Sequence, residues 1–148
     1  MTGQRRAPQE RFVRNARDNR ANGSHAFPLA KAFRCAGNGI LYAFRSQRNL
    51  KIHLLFAVAA VALGALFRIS EAAWLAIVLC IALVMSLEIV NTAIESIVDL
   101  VSPDWNELAM HAKDCAAGAV YLAAFASIVV ACIVFLPRMI NWAFALLG

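Results

Sequence analysis

The sequence predicts an all-α integral membrane protein in which three transmembrane helices are preceded by an amphipathic interfacial helix. Three observations carry that prediction. The chain is 61% hydrophobic with a mean hydropathy of +0.66, above the ~45–50% apolar content of ordinary soluble domains. Only 16% of its residues are charged, against ~25% in such domains, and they gather in short stretches. Between those stretches lie three long uncharged runs, at 54–67, 72–87 and 115–137.

Residues 1–28 carry six arginines against Glu10 and Asp18, among Asn, Gly, Gln and Pro, with no apolar period. That composition predicts a disordered basic cytosolic tail. Its arginines serve the positive-inside rule or draw the tail to anionic headgroups. Nucleic acid is not an expected partner, because Phe12 is the lone aromatic between the arginines. The start lacks a cleavable signal pattern, so the N-terminus is expected to be retained.

Over 30–48 the period becomes helical. At ~100° per residue, Lys31, Arg34, Asn38, Arg45 and Arg48 fall within roughly a 100° arc, with Phe33, Ile40 and Phe44 on another face. Such a helix lies in the membrane interface, although Gly37 and Gly39 weaken it by ~1 kcal/mol each relative to Ala. These glycines form no phosphate loop: Tyr42 stands where a dinucleotide fingerprint needs its third glycine, and GxxxxGK[ST] is absent.

The apolar runs define spans at 50–67, 72–100 and 114–137, each near or above the ~17–25 residues needed to cross a ~30 Å hydrocarbon core. The remaining 139–148, with Trp142 and Phe144, is too short to span and is expected to rest at the outer interface. Placing the N-terminus and the 99–114 loop in the cytoplasm puts 12 of the 14 Lys/Arg inside and leaves Arg68 and Arg138 outside. Trp74 and Trp105 fall near opposite span boundaries, as interface anchors do. Cys35, Cys80, Cys115 and Cys132 have neither CxxC nor zinc spacing and read as small apolar residues. His53 and His111 sit at span ends and read as interfacial, while Gly64, Gly118 and the alanines of the third span permit close helix packing.

Chemistry concentrates at the end of the second span. Spacings of 3, 4 and 4 put Glu88, Asn91, Glu95 and Asp99 within roughly an 80° arc of one helical face. Glu88 precedes Asp99 by eleven residues, hence lies ~16 Å deeper along the axis. Three carboxylates at such depth cost several kcal/mol unless they meet water, protein or a counter-ion. A divalent metal with phosphate meets that need, since Mg²⁺ takes hard oxygen ligands and completes its shell with water and phosphate oxygens. Lys113 and Asp114 return a cation and a carboxylate to the same membrane face. Phosphoryl transfer requires chiefly positioning and charge neutralisation, which these groups supply without a P-loop. The plainer reading is a cytosolic helix end capped by ordinary salt bridges.

The combination Glu88-xx-Asn91-xxx-Glu95-xxx-Asp99, then Ala112-Lys113-Asp114 and Ala116-Ala117-Gly118-Ala119-Val120, resembles the small prokaryotic diacylglycerol kinase/undecaprenol kinase family. The likeness covers about residues 30–138, including Arg48-Asn49-xxx-His53 at the entry to the first span and Phe135-Leu136-Pro137 at the exit from the third. It implies a homotrimer with active sites shared between subunits. By position, Glu88 resembles the catalytic base, Glu95 a magnesium ligand, and Asn91, Lys113 and Asp114 residues around the ATP phosphates, with Asp99 at the cytosolic end of the site. Gln47 stands where the family commonly has a second metal-binding glutamate. It is either a neutral oxygen ligand or a plain interfacial glutamine, and as a ligand it implies a higher magnesium requirement.

The expected function is Mg- and ATP-dependent phosphorylation of a lipid hydroxyl in the bacterial cytoplasmic membrane. The motifs look closer to the undecaprenol branch than to the diacylglycerol branch. The alternative from a different class is a non-catalytic small membrane oligomer or ion-conducting protein whose carboxylates line a wet path.

Overall fold

The computed structural model describes residues 29–147, and the basic tail at 1–28 lies outside the described residues. Four helices follow one another: α1 (Leu29–Ser46), α2 (Arg48–Leu66), α3 (Glu71–Val101) and α4 (Glu107–Leu147), with no strand among the described residues. The chain divides into two compact units, Met1–Cys35 and Ala36–Gly148. Of the first, the described residues are the opening turns of α1; the packing and sites below belong to the second.

The expected architecture is present. α2, α3 and α4 are each long and apolar enough to cross a membrane, and α1 precedes them. α3 packs along α4 over the longest stretch, α2 leans on α3, and α2 meets α4 only narrowly. Large apolar side chains such as Leu55, Phe56, Leu79, Leu122 and Phe125 face outward and exposed. An apolar exterior on this scale suits lipid as the solvent.

Each helix end has a local cause. Ser46 Oγ donates to the Tyr42 carbonyl at 2.9 Å, competing for a ladder acceptor where α1 stops, and Gln47 is extended (φ −102°, ψ 123°) before α2 begins. α2 closes in a Schellman motif: Ile69 N–H donates to the Gly64 carbonyl and Arg68 N–H to that of Ala65. Arg68 holds the left-handed position of that motif at φ 46°. Ser70 then caps α3, its hydroxyl oxygen accepting from Ala73 N–H at 3.3 Å, which satisfies one of the orphan donors of the first turn.

α4 differs from expectation at both ends. It starts at Glu107 rather than 114, because Asn106 Oδ1 accepts from the N–H groups of Leu108 and Ala109 at 2.9 and 3.1 Å, as a helix cap does. It also runs through Pro137 to Leu147, so residues 139–147 are helical and continuous with the third span. Proline frees the carbonyl four residues back, but helices in membranes tolerate this where side chains re-satisfy the backbone. The carbonyl freed here is that of Ile133, and the Arg138 guanidinium donates one residue on, to the Val134 carbonyl.

At the α2–α3 turn the core is apolar. Ile69, Ile77, Val134 and Phe135 form a buried cluster, with Leu63, Trp74 and Ile81 packed against it. Trp74 is therefore half-buried protein packing as well as a span-end residue. Gly64 makes this possible, since a Cβ there would meet the Trp74 ring at 2.9 Å and Ile69 at 3.1 Å.

Candidate active site

The buried face of α3 changes character along its length. Its buried residues are Ile77 and Val84 toward the turn, then Glu88, Asn91 and Thr92. Backbone acceptors absorb the hydroxyls of this segment: Thr92 Oγ1 donates to the Glu88 carbonyl and Ser96 Oγ to that of Thr92, both at 2.8 Å. The carboxylates and amides are left to one another and to the facing helix.

Glu95 is clasped by two amides. Gln47 Nε2 donates to its Oε2 at 2.7 Å and Asn91 Nδ2 to its Oε1 at 3.0 Å. Gln47 reaches it because the α1–α2 break brings residue 47 against α3. Asn91 Oδ1 is buried and has no hydrogen-bond partner among the described residues, a state that costs about 1–3 kcal/mol. Among the described residues no three His, Cys, Asp or Glu side chains gather as a ligand set. What the chain does gather is one carboxylate with two amide side chains on it, of which Asn91 also offers an unpartnered buried oxygen. That hard, partial donor set fits Mg²⁺, which keeps much of its shell for water and phosphate, and it does not fit zinc.

Glu88 is only 2% exposed. Its Oε1 lies 3.5 Å from His53 Nε2 on α2, an ion-pair distance when the ring is protonated. The sequence alone assigns His53 to the interface rather than to the site. Its signal lies in antiparallel geometry, where positions at equal distances from the α2–α3 turn meet. His53 stands about as far before Glu71 as Glu88 stands after it, and Gln47 and Glu95 are matched in the same way. His53 also borders an apolar groove of about 330 Å³ between α2, α3 and α4, lined in part by Ala57, Val84, Met85, Ile128 and Phe135.

Lys113 on α4 pairs with Asp99 at the end of α3, rather than with Glu88 or Glu95. Asp99 is exposed and Lys113 partly so. Asp114 is exposed and forms no hydrogen bond or ion pair among the described residues. The structure thus sets three separate groups along α3: Glu88 with His53, Glu95 with Asn91 and Gln47, and Asp99 with Lys113, with Asp114 outside all three.

Fold and site define a polytopic, all-helical membrane protein with an acidic, amide-lined centre inside its spans. The family model for prokaryotic diacylglycerol kinase matches residues 34–135. The chain is 45% identical over 114 residues to a diacylglycerol kinase of Synechocystis, covering 76% of this chain and 65% of that protein. It is 41% identical over 109 residues to an undecaprenol kinase of Bacillus subtilis, covering 74% of this chain and 89% of that protein. The chain belongs to the prokaryotic diacylglycerol kinase family, a family of membrane lipid kinases. With its three candidate spans, this makes it a plasma membrane protein.

Proposed function

We propose that this protein transfers the γ-phosphoryl group of Mg·ATP to the hydroxyl of a membrane lipid, and that the lipid is undecaprenol, giving undecaprenyl phosphate. The observation that carries this reading is the buried Glu88 on the same α3 face as Glu95, with Glu95 already held by Gln47 and Asn91. Glu88 takes the proton of the lipid hydroxyl, whose oxygen forms a bond to the γ-phosphorus as the bond to the β–γ bridging oxygen breaks. ADP leaves with that electron pair. General-base help of this kind contributes ~10²–10⁴-fold.

Glu95, with Gln47 and Asn91 beside it, would hold the magnesium ion, which would neutralise phosphate charge. Lys113, Asp99 and Asp114 attend the nucleotide where α3 and α4 meet the cytosol. The apolar groove that begins at His53 gives the lipid's hydrocarbon chain a path along α3. The lysine and arginine distribution supports a cytosolic N-terminus and nucleotide side. A homotrimer, implied by the family likeness, accords with the apolar faces of α2 to α4.

The relation to the undecaprenol kinase, which extends over 89% of that protein, supports the isoprenoid acceptor. Diacylglycerol is the second reading, favoured by the 45% identity to a diacylglycerol kinase. Both relatives are kinases, which favours phosphoryl transfer over a non-catalytic ion path. The test is an assay of the purified protein with radiolabelled ATP against undecaprenol and diacylglycerol in parallel. Faster labelling of undecaprenol supports the first reading, faster labelling of diacylglycerol the second, and labelling of neither refutes both.

A further inference from the structure

The Glu88 side chain is buried to 3% exposure, and none of its oxygens accepts a hydrogen bond from α3 or α4 among the described residues. A carboxylate in that position is costly without a partner. Among the described residues, the polar side chain paired with it comes from α2: His53, whose own side chain remains 24% exposed. Glutamate has three side-chain torsions, so burial alone does not aim its oxygens. A base contributes only when it lies within hydrogen-bond reach of the proton it removes.

Two features separate this contact from an incidental one. Oε1 is the oxygen facing Nε2, which leaves Oε2 for another proton. The imidazole also borders the apolar groove, whose hydroxyl-bearing residue, Ser127, directs its hydrogen to the Ala123 carbonyl at 2.7 Å. His53 Nε2, at 3.5 Å from Oε1 and short of a formed hydrogen bond, is thus the groove-lining nitrogen that faces Glu88.

We propose that His53 is a positioning residue for the phosphoryl-transfer reaction: its Nε2–H holds Oε1 of Glu88 so that the second oxygen faces the acceptor hydroxyl. The inference rests on the reading of Glu88 as the base. It predicts that a side chain of similar reach with an N–H donor replaces His53 and one without a donor does not. Gln47 shows an amide performing such a role on Glu95 in this same molecule.

The experiment compares wild type, His53→Leu and His53→Gln, purified in one detergent, checked for assembly by size exclusion, and assayed at saturating lipid with ATP varied. His53→Leu is expected to lower kcat about 10- to 100-fold, the scale of a misplaced catalytic group, with the KM for ATP within about twofold of wild type. His53→Gln is expected to recover most of that loss. A His53→Leu protein with wild-type kcat overturns the proposal, as does a His53→Gln protein no better than His53→Leu. If the leucine variant does not assemble, His53→Asn against His53→Ala makes the same comparison with smaller side chains. A wild-type protein inactive on every lipid alcohol refutes the kinase reading itself, whereas an active wild type matched by His53→Leu refutes only the role of His53.

Discussion

Gln47 donates an amide hydrogen to Glu95 at 2.7 Å, joining the residue before α2 to the closing turns of α3. The pair is a neutral donor against an acid, so the contact is satisfied without a cation. Replacing Gln47 by Glu puts two carboxylates side by side and changes that balance. In chelator, repulsion should lower the unfolding midpoint by a few degrees, in line with about 1 kcal/mol. With magnesium the same variant should reach half-maximal activity at severalfold lower metal. Titration of activity and of thermal unfolding with Mg²⁺ checks both, and unchanged curves would remove Gln47 from the metal site.

Glu88→Gln keeps the shape and hydrogen-bonding capacity of the side chain while removing its basicity. Phosphoryl transfer should fall by ~10²-fold or more, with the elution volume and unfolding midpoint close to wild type. Retention of more than a tenth of the wild-type kcat would assign the base elsewhere. In liposomes this variant should leave ion flux unaltered, where an ion-conducting protein would respond.

Gly64 and Trp74 test how α2 is fastened to α3. The Cβ of Gly64→Ala would approach the indole at 2.9 Å, and overpacking of this kind costs ~1–3 kcal/mol. Adding Trp74→Phe shortens the opposing ring and should return part of the loss. Thermal unfolding of both singles and the double variant measures the coupling, and strictly additive midpoints would mean the two residues do not meet.

Arg68 occupies a left-handed conformation at φ 46°, which costs an ordinary L-residue ~1–2 kcal/mol. Glycine accepts that angle freely but gives back ~0.5–1 kcal/mol through the entropy of the unfolded chain. Arg68→Gly should therefore stabilise the protein by about 0.5–1 kcal/mol, read as a rise in the unfolding midpoint. A fall would show that the guanidinium makes a stronger contribution at the membrane surface than the backbone relief.

The three spans are legible in the sequence because uncharged runs as long as 72–87 and 115–137 have few other uses. The polar face of α3 is legible too, since Glu88, Asn91 and Glu95 belong to one helix and their period is local. Partners on other helices are harder to read. Gln47 stands out only through family likeness, and the structure adds its contact with Glu95. His53 reads as a boundary residue because its role depends on the register between α2 and α3, which the Schellman turn at Arg68 and the Gly64–Trp74 contact help set. The length of α4 is hidden for a different reason. Pro137 and Arg138 are a reasonable stop in a soluble helix, whereas here the helix continues through both to Leu147.

The 41 residues of α4, at ~1.5 Å each, form a rod of about 60 Å, roughly twice the thickness of a bilayer's hydrocarbon core. Its uncharged stretch, 115–137, measures about 35 Å and is close to the thickness of that core, so the turns bearing Glu107, His111 and Lys113 extend beyond it on the side where Lys113 meets Asp99.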